Sequence, residues 1–210
     1  MKLWSEFYDL MVPDLPGCPM GVLPIALRQA AIAFCEQSQA WKYAHPDIAV
    51  TVANADYDFA PPDGAVVYAV DYAEFNGCEI EVNTEQDEVW LWNWRHQDGS
   101  PQYVMGHPTY LTLIPTPNVE GTLTLTTILK PSPIADGIDD DIYNEWRDTI
   151  AHGALARLMS SPKKPYTDFQ LANSHQQQFR IDTAKAGIRA GRNYTRAPLQ
   201  TQIMRRKSWR

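Results

Sequence analysis

Apolar residues recur along this chain first at helical spacing, then at alternate positions, then at helical spacing again. After Pro19 the run Leu23, Leu27, Ala30, Phe34, filled in by Ile25, Ala26, Ala31 and Ala33, predicts an amphipathic helix to about Gln39, closed by the packing aromatics Trp41 and Tyr43. Ahead of it, Trp4, Phe7, Tyr8, Leu10 and Met11 stand before a cluster of prolines at 13, 16 and 19. Ser5 is placed to cap one short helical turn there, which the prolines end.

From Ala49 to Lys130 the period drops to two. Val50, Val52 and Ala53 form one short run, and the residues from Ala65 to Tyr72 another, after the turn signal Pro61-Pro62-Asp63-Gly64. Phe75-Asn76-Gly77 marks a tight turn into Cys78 to Val82. Further strands are expected from Glu88 to Arg95, Tyr103 to Met105, Tyr110 to Ile114 and Thr122 to Leu129. Short strands joined by Gly, Pro, Asn and Asp turns predict an antiparallel β-rich module, either a sandwich or an open barrel.

Helical spacing returns after Pro133. Asp139, Asp140 and Asp141 precede Ile142, Trp146, Ile150 and Ala154, so they fall in the first turn of a helix ending near Ser160, where acidic side chains offset the positive end of the helix dipole. A longer helix starts at about Thr167, with Phe169, Ala172, Phe179, Ala186 and Ile188 assigned to one face, and Gly187 and Gly191 mark where it frays. The predicted class is α+β: a helical bundle with the β module inserted between its halves. The expected divisions are 1–48 (N-terminal helices), 49–130 (β module), 131–179 (C-terminal helices) and 180–210 (an extended C-terminal arm).

Charge changes the picture most at that arm. Residues 180–210 hold nine basic side chains against Asp182, a net of +8, whereas the rest of the chain carries nine basic and 24 acidic residues, a net of −15. An acidic body with a basic arm points to an anionic or acidic partner. Leu199, Ile203, Met204 and Trp209 stand among Arg205, Arg206, Lys207 and Arg210, the mixture found in segments that order on docking. A purely phosphate-binding tail needs no such apolar residues.

Chemistry is sparse. Three widely spaced cysteines, Cys18, Cys35 and Cys78, indicate neither a disulfide framework nor a zinc pair. His45, His96, His107, His152 and His175 lack the i, i+4 pairing of a zinc protease, and no phosphate-binding glycine loop or nucleophile elbow occurs. No metal, cofactor or catalytic residue is therefore assigned, and Glu79 and Glu81 read as a solvated strand face. No run reaches the roughly 18 apolar residues of a membrane span, and the start lacks a signal-peptide pattern, so a cytosolic setting is expected. Trp90, Trp92 and Trp94 alternate on one strand face. They offer either a stacking platform for bases or sugars or a packing surface toward a helix or a neighbouring subunit.

The stretch Leu23 to Trp41 resembles the first helix of head-to-tail adaptor (connector or neck) proteins of tailed bacteriophages, and Ile150 to Met159 followed by Pro162-Lys163-Lys164-Pro165-Tyr166 resembles the paired C-terminal helices of the same proteins. The order of elements is similar over most of the chain. The resemblance implies a structural virion protein, not an enzyme. It implies a homo-oligomeric ring, typically of twelve subunits, that sits under the portal in the virion neck, extends the DNA channel and docks a tail or nozzle protein, after assembly in the host cytoplasm. Double-stranded DNA would pass without specific recognition. Leu199, Ile203, Met204, Arg205, Arg206, Lys207, Trp209 and Arg210 would form the portal-binding arm, and Trp90, Trp92 and Trp94 a subunit or tail interface. Two other classes stay open from the residues alone: a nucleic-acid-binding module using the arm and the tryptophan platform, and a hydrolase with an unrecognised cleft.

Overall fold

The structure, a computed structural model, describes residues 1–83 and 97–192. It is an α+β fold with four α-helices and a large, nearly closed sheet. The chain opens with a two-residue strand, β1 (Lys2–Leu3), a 3₁₀ turn (Trp4–Phe7) and the short α1 (Tyr8–Met11). Ser5 lies inside the 3₁₀ turn, whose N-cap is Leu3 with no side-chain cap, so the expected cap is not made. Trp4, Phe7 and Met11 are instead anchors, buried against the helices.

α2 (Leu23–Ser38) forms where the spacing required it. Leu23, Leu27, Ala30 and Phe34 are buried and Ile25 is exposed. The helix ends at Gln39, which takes a left-handed conformation and donates its N–H to the Cys35 carbonyl. The strands then follow as β2 (Lys42–Val50), β3 (Asp56–Asp58), β4 (Ala65–Phe75), β5 (Cys78–Asn83), β6 (Asp98–Gly99), β7 (Tyr103–Gly106), β8 (Tyr110–Ile114), β9 (Thr116–Pro117), β10 (Gly121–Pro131) and β11 (Gly137–Ile138). Seven of them build one sheet in the order β2-β10-β4-β5-β7-β8-β3.

Two expectations are corrected here. β2 begins at Lys42, well before the expected switch at Ala49, and Val52 and Ala53 lie in the following turn, Ala53 with positive φ. The sheet is also not wholly antiparallel, because β5 pairs in parallel with β7. The Asn76-Gly77 hairpin between β4 and β5 is as read: both residues have positive φ, the conformation a two-residue primed turn demands.

The outermost strands, β2 and β3, are joined by the turn 51–55 and bridged by side chains rather than by a ladder. The Tyr57 hydroxyl donates to Thr51 O and Asn54 O, and accepts from Thr51 N at 3.1 Å. His45 Nε2 accepts the Ala60 N–H at 2.7 Å, while Nδ1 donates to the Pro46 carbonyl, also at 2.7 Å. The imidazole is thereby held across the seam with both ring nitrogens engaged.

One face of β10 serves two cores. Leu123 and Leu125 enter the interior of the curled sheet with Phe75, Ile80, Leu111 and Leu113, while Leu129 enters the helical core beside Trp41 and Ala65. The solvent-side partners Thr122 and Thr124 are exposed, as the alternation predicted. β10 thus ties sheet to helices, and its register slips twice against β4, leaving Asp71 and Tyr68 unmatched in the pairing.

α3 (Asp140–Met159) and α4 (Phe169–Gly191) are the last described elements and pack on each other and on α2. The three aspartates do what first-turn acids do. Asp139 is the N-cap, accepting the Asp141 N–H, and Asp140 meets the N-terminal ammonium at 2.9 Å. Gly153 lets the helices close up, since a Cβ there would lie 2.8 Å from the Phe179 ring. On α4, Ala172, Phe179 and Ala186 are buried as expected, but Phe169 and Ile188 are 59% and 58% exposed, a correction to the predicted face. Gly187 is not a fraying point: the helix continues to Gly191, and Gly187 passes close to the end of α2, where an added Cβ would be 3.5 Å from Ser38 O. No helix among the described residues is long and apolar enough to cross a membrane.

Candidate functional site: an acidic groove beside the exit of the arm

The portal-arm residues Leu199, Ile203, Met204, Arg205, Arg206, Lys207, Trp209 and Arg210 lie outside the described residues, and so do Trp90, Trp92 and Trp94. The structure does describe where the arm departs. α4 is started by Asp168, whose carboxylate accepts the N–H groups of Gln170 and Leu171. Near its end, Arg189 sits 3.0 Å from Glu145 of α3, with its guanidinium 6.0 Å from the Trp146 ring. The ring in turn meets Phe34 of α2 at 5.8 Å. Trp146 departs from helical backbone geometry (φ −128°, ψ 15°), and this kink lies in the segment of α3 that carries Glu145. The last turn of α4 is therefore pinned to α2 and α3 through one aromatic and one ion pair.

Glu145 also lines a groove of about 640 Å³ between the start of β2 and the first turns of α3. Its acidic wall is Asp139, Asp141 and Glu145, and its apolar floor includes Trp41, Tyr43 and Ile142. Lys42 is on the rim, with its ammonium drawn 2.8 Å from Asp71. Among the described strands β2 is an outermost one, and its residues 42–44 line the groove. Leu129 donates its N–H to Trp41 O, so 41 and 43 turn their backbone groups toward β10 and the alternate residues 42 and 44 turn theirs outward. A second groove, of about 890 Å³, opens where β4 and β7 diverge, between Val67, Tyr68, Val70, Gly106 and His107.

Between α3 and α4 the structure brings together two histidines that sequence reading left apart. His152 and His175 place their Nδ1 atoms 2.8 Å apart, rings tilted at 5.0 Å. Burial, and next to it His152, holds the His175 pKa below its ordinary value, against a weaker opposing pull from Asp14. Their positions are nearly symmetric about the 160–168 connection, so pairing the two helices about that loop was the one signal that could have joined them.

Cys35 is fully buried, and burial, followed by Glu36 and Asp139, pushes its thiol far above the usual range, so no thiolate is presented. Among the described residues no group of three His, Cys, Asp or Glu side chains is arranged to hold a metal ion. Glu79 and Glu81 are exposed on β5, as a solvated face would be.

Residues 11–202 match a protein-family model described as SU10 adaptor protein. No curated protein matches the chain.

Proposed function

We propose, from the premise that this chain belongs to the SU10 adaptor protein family of phage head-to-tail adaptors, that it works as a ring under the portal, extends the DNA channel and docks the tail. The observation that carries the proposal is the extent of the family match, which takes in α2, the sheet, α3, α4 and the beginning of the arm. The family is a structural one and not an enzyme class.

Charge segregation supports the finer reading. Residues 1–192, through the end of α4, hold 13 basic and 25 acidic side chains, a net of −12, and such a body repels phosphates, which suits the wall of a conduit that duplex DNA must pass without being gripped. The basic arm is the complementary element, with Leu199, Ile203, Met204 and Trp209 as anchors and Arg205, Arg206, Lys207 and Arg210 as the charges that select an acidic portal surface. Trp90, Trp92 and Trp94 are assigned to the contact with a neighbouring subunit or the tail.

The test is co-sedimentation of the purified protein with the portal of the same phage, using the full chain and a variant lacking residues 202–210. The full chain should co-sediment and the shortened one should not, while keeping the same circular dichroism. Undiminished docking by the shortened chain would remove the arm from the proposal.

A further inference from the structure

We infer that neighbouring copies of this chain join helix to helix, the outward stripe of α4 on one copy packing against the Ile25–Ile32 ridge of α2 and the Ile134 turn on the next. This rests on the ring reading above and deepens it by naming the surfaces through which subunits meet.

α4 is two-sided. Its inner face, with Phe179, Thr183 and Ala186, belongs to the bundle. On the opposite side, positions 170, 174, 177, 181, 184 and 188 follow one another at steps of four and three, and all six are exposed. They are Gln, Ser, Gln, Ile, Ala and Ile. The outward side of a surface helix is ordinarily its charged side, yet this stripe holds no charge over about five turns, and its spacing is that of a seam between two helices. Ile181 and Ile188, 51% and 58% exposed, are its apolar centre, and the small Ala184 between them leaves room for a close partner.

α2 carries the counterpart. Ile25 is 52% exposed, and Ile32, seven residues on, is half-buried on the same side, away from Leu27, Ala30 and Phe34. Arg28, between them, donates to Pro133 O and Ala135 O and so holds beside the ridge the turn tipped by the exposed Ile134. The Ser132 N–H bonded to Gly64 O and the Trp4 indole bonded to Ala135 O secure the same turn from two further directions. Ile134 is thus an apolar knob on a pre-organised support.

Three observations make a second copy the occupant. Stripe and ridge cannot meet within one chain, because α2 and α4 already touch through other sides, with Gly187 of α4 beside Ser38 of α2. The two surfaces differ, as the halves of a head-to-tail contact must, and each copy offers one half to each neighbour. Charge agrees with this pairing. Residues 177–192 hold four basic side chains against Asp182, a net of +3, whereas residues 1–176 hold nine basic and 24 acidic, so the end of α4 on one copy is drawn to the body of the next.

Sedimentation of the full chain without portal tests the inference. The unaltered protein is compared with a stripe variant, Ile181→Lys/Ile188→Lys, and a ridge variant, Ile25→Lys/Ile134→Lys. All four isoleucines are exposed, so circular dichroism and urea midpoints should match in the three proteins. The unaltered chain should assemble beyond the monomer. Each variant alone should stay monomeric, its association weakened about a hundredfold or more as ammonium groups enter an apolar contact. Mixed in equal amounts, the two variants should form a 1:1 dimer and nothing larger, because the intact ridge of one meets the intact stripe of the other while the altered surfaces repel. A variant that assembles like the unaltered chain, or a mixture that stays monomeric, overturns the inference and leaves the ring reading standing. So does an unaltered chain that remains monomeric at about 0.5 mM, where even a millimolar contact is populated. Conversely, masses as expected together with portal rings that stay bare would remove the portal from the account and keep this contact.

Discussion

His152 of α3 and His175 of α4 face each other with their Nδ1 atoms 2.8 Å apart. One nitrogen donates and the other accepts, which neutral rings or a single shared positive charge permit and two imidazolium rings do not. The ring of His175 is in addition desolvated, and its Nε2 has no hydrogen-bond partner among the described residues.

Acid is therefore expected to loosen the α3–α4 seam. The pKa of His175 is lowered in the folded state, so its neutral form is what folding favours. The stability it supports is complete above the unfolded value of about 6.5 and is lost as the pH falls through that value toward the folded one. Urea midpoints should drop between about pH 7.5 and 5.5, and His175→Phe should flatten the slope. An unchanged slope in that variant would assign the pH response to other groups.

At the seam of the sheet, His45→Ala removes the acceptor of the Ala60 N–H and a buried ring packed 6.1 Å from Phe59. A loss of about 2–4 kcal/mol is expected, combining the unpaired donor with the cavity. Chemical denaturation measures it, and a change below about 1 kcal/mol would mean that the side-chain bridge contributes little to closure.

Gly153→Ala sets two effects against each other. Alanine in a helix interior is better than glycine by about 1 kcal/mol. The new methyl would lie 2.8 Å from the Phe179 ring and 3.1 Å from Ala30 Cβ, in a buried three-helix junction. Overpacking of about 1–3 kcal/mol should win, leaving the variant less stable, and Gly153→Val should be worse still. A more stable Gly153→Ala would mean that the helices separate easily.

Arg28 holds the loop after β10 by donating from Nε to Ala135 O at 2.7 Å and from Nη1 to Pro133 O at 3.0 Å, beside the Trp4 indole, which shares the Ala135 carbonyl. Arg28→Met keeps the stem and loses the donors. It should cost about 1–3 kcal/mol and raise proteolysis near Ile134, which is 84% exposed. Unaltered cleavage at that loop would place its restraint elsewhere.

The elements that were legible in the sequence are those where one local rule acts alone. α2 follows from its apolar spacing, the start of α3 from its aspartates, the β4–β5 hairpin from Asn76-Gly77, and β10 from the alternation of Thr122 to Thr126. β2 was hidden because His45-Pro46-Asp47 reads as a break. The strand tolerates proline since it is outermost and its register slips against β10 between Leu123 and Leu125. The parallel pairing of β5 with β7 depends on tertiary closure and has no local signature. Phe169 sits at the exposed start of α4, whereas Ile188 stands two residues from both Ala186 and Ala190, about 200° around the helix, and so points away from the buried stripe. Gly187 was read as a weakness because its neighbour, Ser38, is distant in sequence. The acidic groove could not be read at all, since its walls come from β2 and α3, about a hundred residues apart.

The central claim, that this phage adaptor works as a ring beneath a portal, is tested most directly by electron microscopy of the purified protein mixed with the portal of the same phage. The account predicts a ring of adaptor subunits stacked coaxially on the portal ring, with a continuous central channel. Portal rings that remain bare at micromolar adaptor concentration, or adaptor bound off the axis without closing a ring, would contradict it.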